Sequence, residues 1–496
     1  MRMICAFAAA AALIQAGGPG AAGQSTKKLL DYDPILGGAP PFRRLFLDAM
    51  VVEESEGLER VFHAATKYRG NPIFRKEKEW EGWGPALGGT VIKDAGKFRM
   101  YYYCISDDEP TKVCMAVSKD GLHWTRPDVG DVEWRGSRKN NIVRSSTQVF
   151  KLANPPSPER KWITYSFADG YARMGYSPDG LHWKWDEKAN KLFTTSDVVN
   201  WFYDPYRNRM AATWKTASRR HRSVGVAWSN DLFKWTKPVE GPVFAPDDLD
   251  PDATQIYGMP VFAYQKMFIG LPWIYHARWI KYGRYTAPKV MFEAQEGSPR
   301  TIDVQIAWSW DLINWTRTPR RKPFIGTGPF KQFDCGIAYT SRAPLVVGDE
   351  LWFYYTGWDQ IHEDYKGIKS AVGLATLRLD GFCSMHAGSK EGWLISRREV
   401  FNTPKVTINA NCAKGGYVTA EVVDRYNRII PGFERARCNA FTGDSVRGEM
   451  SWKTAKFPAE WIDKDKKVRF YAKNADLYSY LPQGINQKID DGWPDK

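Results

Sequence analysis

Past its first two dozen residues the chain has no long apolar run. That absence excludes a membrane-spanning helix, which needs roughly 20 apolar residues in succession. Histidine is scarce, at 7 in 496 residues, and cysteine is equally scarce at 7. No two cysteines form a C-x-x-C pair and no histidine cluster accompanies them, so no zinc site is expected. The H-E-x-x-H motif, the phosphate-binding glycine loop and the dinucleotide fingerprint are all missing. The formal charge is +14, yet its lysines and arginines form no long cluster beside a nucleic-acid-binding motif. Nucleic acid is therefore not an expected partner. A solvated basic surface explains the charge, and so does attraction to an anionic polysaccharide outside the cell.

The one apolar run, from Ile4 to Ile14, follows Arg2 and precedes a string of small residues. That layout reads as a secretory signal peptide over residues 1–23, with residues 24–42 as a linker. The expected location is secreted or periplasmic. Six cysteines then remain, and an oxidising compartment permits disulfides. Cys104 with Cys114 and Cys412 with Cys438 are the pairings that sequence position suggests, but connectivity stays open.

What the chain has in abundance is aromatic rings, 14% of its residues, including 22 tryptophans. Many belong to a repeat. SKDGLHW from Ser118 returns as SPDGLHW from Ser177, SNDLFKW from Ser229 and SWDLINW from Ser309. The four copies of S-x-D-x-x-x-W place Trp124, Trp183, Trp235 and Trp315 at intervals of 59, 52 and 80 residues. An identical core at unequal spacing implies one structural unit repeated with loops of different length. Before each signature lie aromatic and β-branched runs such as FRMYYYCIS and KWITYSFAD, which read as strands. Asp and Gly of the motif are turn chemistry, and Trp is an apolar plug for the gap between sheets.

A fifth unit follows, ending in the degenerate turn Asp380-Gly381-Phe382. Radial repetition of five four-stranded sheets predicts an all-β fold, a five-bladed β-propeller over residues 43–385. FRRLFLDAMVV, from Phe42, is the expected closing strand. Alternating patterns after residue 386 predict a separate C-terminal β-sandwich to residue 482, and residues 483–496 read as a polar tail.

The repeats and trailing module resemble the five-bladed propeller glycoside hydrolases of families 32 and 43 and their relatives. The segments LFLDAMVVEESEGLERVFHAATK, WEGWGPALGGTVIKD, FYDPYRNR, FDCGIAYTSRAPLVVGDELWFYYTG and VTAEVVDRYNRIIPGF carry the likeness to a secreted bacterial subgroup. The resemblance implies glycosidic bond cleavage by paired carboxyl groups facing one another across a central pocket. It implies no cofactor. Some relatives hold a calcium ion on the axis, but no ligand pattern here argues for one.

Acids beside each unit's first strand are the candidates: Glu81 in unit one, Asp204 in unit three, Asp252 in unit four and Asp334 in unit five. Unit two offers none. The families carry Asp, Asp and Glu in a different order, so roles do not transfer. Asp204 and Asp334 are the expected principal pair, with Glu81 and Asp252 as partner acid or substrate anchor. Trp80, Trp83, Trp201, Tyr203, Tyr257 and Trp358 are candidate sugar-stacking rings, and His63, His362 and Arg342 candidate polar contacts. The expected activity is glycoside hydrolysis on a poly- or oligosaccharide. A carbohydrate-binding propeller without catalysis is the alternative that the vacant second unit favours. A polysaccharide lyase using His362 and Arg342 is the third.

Overall fold

The computed structural model describes residues 27–218, 221–251, 253–277, 300–362, 367–400, 405–453, 464–482 and 488–489. The described chain is all-β, with only short 3-10 turns between strands. Four repeats resolve as sheets that follow one another in a propeller-like arrangement. In the first, Val91–Asp94, Lys97–Cys104, Lys112–Ser118 and Trp124–Thr125 form an antiparallel meander. In the second, Gln148–Lys151, Trp162–Ala168, Tyr171–Ser177 and Lys184–Trp185 repeat it. The third comprises Val199–Asp204, Arg209–Ser218 and His221–Ser229, and the fourth Val261–Tyr264, Met267–Gly270, Ala307–Ser309 and Trp315–Arg317.

The expected fifth unit does not stand as a sheet of its own. Its strands Ile337–Thr340, Glu350–Trp358 and Ser370–Arg378 share an eight-stranded sheet with Thr254–Gly258, Trp273–His276 and Ile302–Val304 of the fourth repeat. The junction is one parallel pairing, Ile302 to Ile337. Two prolines split the fourth unit's first two strands into inner and outer halves. Pro260 and Pro272 fall where the fourth unit's first two strands break, and proline cannot donate to a ladder. The inner half-strands Thr254–Gly258 and Trp273–His276 pair with each other, and Ile302–Val304 beside them makes the link to the last unit.

The signature turns are alike in every copy. Asp120 accepts from the N–H groups of Leu122 and His123 at 2.9 and 2.8 Å, and Asp179 from Leu181 and His182 at 2.8 and 2.9 Å. Asp231 and Asp311 do the same two and three residues on. The indole of each signature Trp donates to the carbonyl three residues earlier at 3.1 Å in all four. That earlier residue has positive φ, at 79° for Gly121 and Gly180 but 75° for Leu232 and 71° for Leu312. The bonds therefore hold even leucine in a left-handed conformation that it disfavours.

Tyrosines bolt one sheet to the next turn. Tyr101 of unit one donates to Gly180 O at 2.8 Å, and Tyr165 of unit two to Leu232 O at 3.4 Å. Tyr354, from the strand Glu350–Trp358, donates to Gly121 O at 3.0 Å, so the last repeat touches the first. Tyr264 donates to Asp380 at 2.7 Å, on the degenerate fifth turn.

The N-terminal strands go elsewhere than expected. Arg44–Leu45 pairs with Ser479 and Tyr480, Val52–Glu56 with Gly392–Ser396, and Glu59–Phe62 with Cys383–Ala387. They complete an eleven-stranded C-terminal sheet whose long strands are Val406–Asp424 and Asp465–Pro482. FRRLFLDAMVV is thus a correction. Phe46 and Val51 pack in the core of this sheet with Val406, Ile408, Val468 and Tyr480, and buried Arg44 pairs with Glu399 at 2.8 Å. The outer edge of the last repeat is taken instead by Thr66–Lys67, against Ala375 and Thr376. The six described cysteines are buried free thiols. Cys104 and Cys114 meet sulfur to sulfur at 2.7 Å, whereas Cys412 and Cys438 contact different backbone groups.

Candidate functional site

The first strands of the repeats converge closely. A Cβ on Gly89 would lie 2.1 Å from Thr147 O, so only glycine admits this approach of units one and two. Thr90 N–H then bonds Thr147 O at 2.8 Å. Above this contact opens a cavity of about 750 Å³, within the range of about 300–1,000 Å³ typical of ligand pockets. Every repeat reaches it. Leu87 and Gly88 come from the first, Gln148 from the second, Asn200 from the third, Tyr257 from the fourth and Tyr339 from the last.

Its walls combine rings with polar groups. Tyr165 stacks on Trp201 at 5.6 Å and 11°, and Tyr257 on Tyr339 at 5.7 Å and 27°. Trp358 stands edge-on to Tyr339 at 5.9 Å. Several buried polar atoms among the lining residues have no hydrogen-bond partner among the described residues: Ser145 Oγ, Gln148 Oε1, Arg173 Nε, Asn200 Nδ2, Trp201 Nε1 and Trp358 Nε1. Gln148 is oriented by its own Nε2, which donates to Gly88 O at 2.6 Å and leaves Oε1 free to accept. Buried polar groups are ordinarily satisfied, so these unpartnered atoms set the cavity's lining residues apart from the paired polar groups of the turns.

The charges at the cavity are few. Asp197 is the one carboxylate among the described lining residues, and Lys215 Nζ holds it at 2.9 Å. The same ammonium lies 4.9 Å over the Tyr257 ring. Arg173 stacks on Trp185 at 4.0 Å, and burial pushes its guanidinium pKa down against the pull of Asp169. Among the described residues no group of three or more His, Cys, Asp or Glu side chains is arranged to hold a metal ion.

The acids proposed from the sequence lie elsewhere. Glu81 is fully buried in an ion pair with Arg126 at 2.7 Å and accepts from Tyr102 at 2.8 Å. Asp204 sits at the far end of the strand whose beginning lines the cavity. There it caps the turn to Arg209, bonded to Tyr206 and Arg207 N–H groups and to the Arg209 guanidinium at 2.9 Å. Asp334 is sealed between Lys67 at 2.7 Å and Tyr355 at 2.8 Å. None of these three lines the axial cavity. Their neighbouring cations explain why: in each, a carboxylate is buried because its charge is balanced. Asp252 lies outside the described residues.

The rings divide. Trp201, Tyr257 and Trp358 line the cavity. Trp83 backs it, edge-on to Trp358 at 5.8 Å. Trp80 bonds Asn141 at 2.8 Å and packs on Trp134, and Tyr203 bonds Asn208 at 2.8 Å, so both serve packing. His362 sits behind the lining ring Tyr257 at 5.0 Å. His63 bonds Ser384 at 2.9 Å in a separate groove beside Arg60 and Arg320. Arg342 does not line the cavity; it lies 4.3 Å over Phe150, and burial pushes its pKa down to about 10. The second unit, read as vacant, is among the richest contributors. Gln148 was detectable as a lone amide inside an apolar strand, as was Asn200 within VVNWFY. Arg173 carried no signal, because its meeting with the axis depends on the turn of the strand before it.

No protein-family model matches the chain, and no curated protein does. The resemblance to propeller glycoside hydrolases recurs among similar solved structures. One is the GH32 beta-fructofuranosidase BmSUC1 of Bombyx mori, 11% identical, TM-score 0.38, covering 86% of this chain and 94% of that one. A second, titled for GH130 mannoside phosphorylases and glycoside hydrolases that target beta-1,2 mannosidic linkages in Candida mannan, is 16% identical at TM-score 0.40, over 64% and 94%. A third is an N-acetylgalactosamine deacetylase from F. plautii, 13% identical at TM-score 0.41, over 66% and 97%. At such values they assign no chemistry to this chain.

Proposed function

We propose that this protein is an exported carbohydrate-active enzyme of glycoside hydrolase type, binding its sugar in the axial cavity. The supporting observation is that all the repeats deliver rings to one cavity of about 750 Å³, and that lining residues of the second, third and last carry unpartnered polar atoms. Sugar rings present apolar faces and a rim of hydroxyls, and the wall offers both kinds of partner. We read the repeats as a closed five-bladed ring, supported by the bond from Tyr354 to Gly121 between the last unit and the first. The C-terminal sheet is read as a sandwich folded at the bulge between Cys412 and Tyr417. A leader over residues 1–23 accounts for export.

Hydrolysis ordinarily takes two carboxyl groups. Asp197 replaces the Asp204–Asp334 pair as the proposed reacting acid, because it alone of the named acids reaches the cavity. A second reading, a glycan-binding propeller without catalysis, is favoured by the burial of Glu81, Asp204 and Asp334 in ion pairs. Product analysis on a glycan panel separates the two. New reducing ends that disappear in Asp197→Asn support the enzyme. Binding without any product supports the second reading. Full turnover in Asp197→Asn removes Asp197 from the mechanism.

A further inference from the structure

We infer that the sugar held in the axial cavity carries an anionic group, a carboxylate or a sulfate, and that Arg173 selects it. This rests on the carbohydrate reading and adds the substrate class.

Most arginines of the repeats around it are neutralised. Arg126 pairs with Glu81, Arg209 with Asp204, Arg99 with Asp94 and Arg317 with Asp250. Arg173 differs. It lines the cavity, no described carboxylate forms an ion pair or hydrogen bond with it, and its Nε is buried with no partner among the described residues. The face of Trp185, 4.0 Å away, fixes the plane of its guanidinium. A guanidinium held flat and bonded to no carboxylate among the described residues is a fork for a planar or tetrahedral oxyanion.

The rest of the wall points the same way. Asn200 Nδ2, Trp201 Nε1 and Trp358 Nε1 are further N–H donors without partners among the described residues, against one such acceptor, Gln148 Oε1. Ser145 Oγ serves in either sense. A neutral sugar's hydroxyls donate as readily as they accept, so they match a balanced wall. A carboxylate or sulfate only accepts, so it complements lining residues whose unpartnered atoms are mostly donors. The lone lining carboxylate among the described residues, Asp197, is tied to Lys215 and presents little net repulsion.

The test is calorimetric titration of the whole mature chain. The probes are uronate-bearing and sulfated oligosaccharides of several backbones, each beside its methyl-esterified or desulfated counterpart, at low and high salt. An acidic form should bind at least about tenfold tighter than its neutral counterpart, and Arg173→Met should bring that ratio close to one. Arg173→Lys, which keeps the charge but not the fork, should give an intermediate ratio. Preference for the uronate or for the sulfate ester identifies which oxyanion is bound. Equal binding of acidic and neutral forms by the native protein overturns the inference and leaves the carbohydrate reading standing. A preference that survives in a folded Arg173→Met variant overturns the role of Arg173. Failure of every probe to bind overturns the carbohydrate reading itself. The native comparison stands even if the variant does not fold, which its thermal midpoint reports.

Discussion

The signature turns at the rim and the cavity at the axis are made from similar residues and treated in opposite ways. At the rim each Asp accepts two backbone N–H groups, and each indole has its carbonyl at 3.1 Å. At the axis the side chains of Trp201 and Trp358 are buried, as that of Trp183 is, yet neither indole has an acceptor among the described residues. Saturated polar groups hold a fold together. Unsaturated ones lower stability and are found where a ligand completes them. The S-x-D-x-x-x-W motif is therefore architecture, and the proposed function rests on the less conspicuous Asn, Gln and Arg side chains.

Substitution at both places separates them. The largest effect is expected at the rim, where Trp183→Ala opens a void between sheets and should cost about 3–5 kcal/mol, read by chemical denaturation. Asp179→Ala removes the two backbone bonds of its turn and should cost about 1–2 kcal/mol, with glycan binding unchanged. At the axis the sign reverses. Asn200→Leu replaces a buried unpartnered donor and should stabilise by about 1 kcal/mol, while weakening glycan binding about tenfold. A variant that loses both stability and binding would break the distinction.

The smallest effect is in pH. Burial raises the Asp179 carboxyl pKa, but its bonds to His182 and Leu181 outweigh that and bring it down to about 2. The side-chain and backbone bonds of His123 hold Asp120 low in the same way, and Asp231 and Asp311 are lowered too. A lowered folded pKa stabilises above the unfolded value near about 3.9, and the gain is lost as pH falls through the folded value. Acid unfolding should therefore begin below about pH 4 and be less pH-dependent in Asp179→Asn. His182, raised by its bond to Asp179, works in the other direction. Its contribution is complete below about pH 6.5 and fades as pH rises through the folded value.

The repeat was legible because its turn is local. Asp120 and the groups it satisfies lie within three residues, so seven letters suffice to specify them. The merging of the fourth and fifth units was less legible, since Pro260 and Pro272 reveal a break but not the partner taken up beyond it. The catalytic pair failed for a different reason. Asp204 stands on the right strand but three residues past Trp201, the last of that strand to line the cavity, and position along a strand decides which end a side chain serves. Trp201 and Tyr257 were found because they sit on first strands, and Trp358 because it ends the last unit's second strand opposite Ile337, where its first strand begins.

The placement of residues 44–62 has a consequence for biosynthesis. Their partners lie more than 300 positions downstream, in Cys383–Ala387, Gly392–Ser396 and Asp465–Pro482. These early strands leave the ribosome long before anything exists to receive them, and contacts so distant in sequence form slowly. Val51 and Phe46 lack their core partners until those strands emerge, so this stretch is the part of the nascent chain most open to wrong apolar contacts.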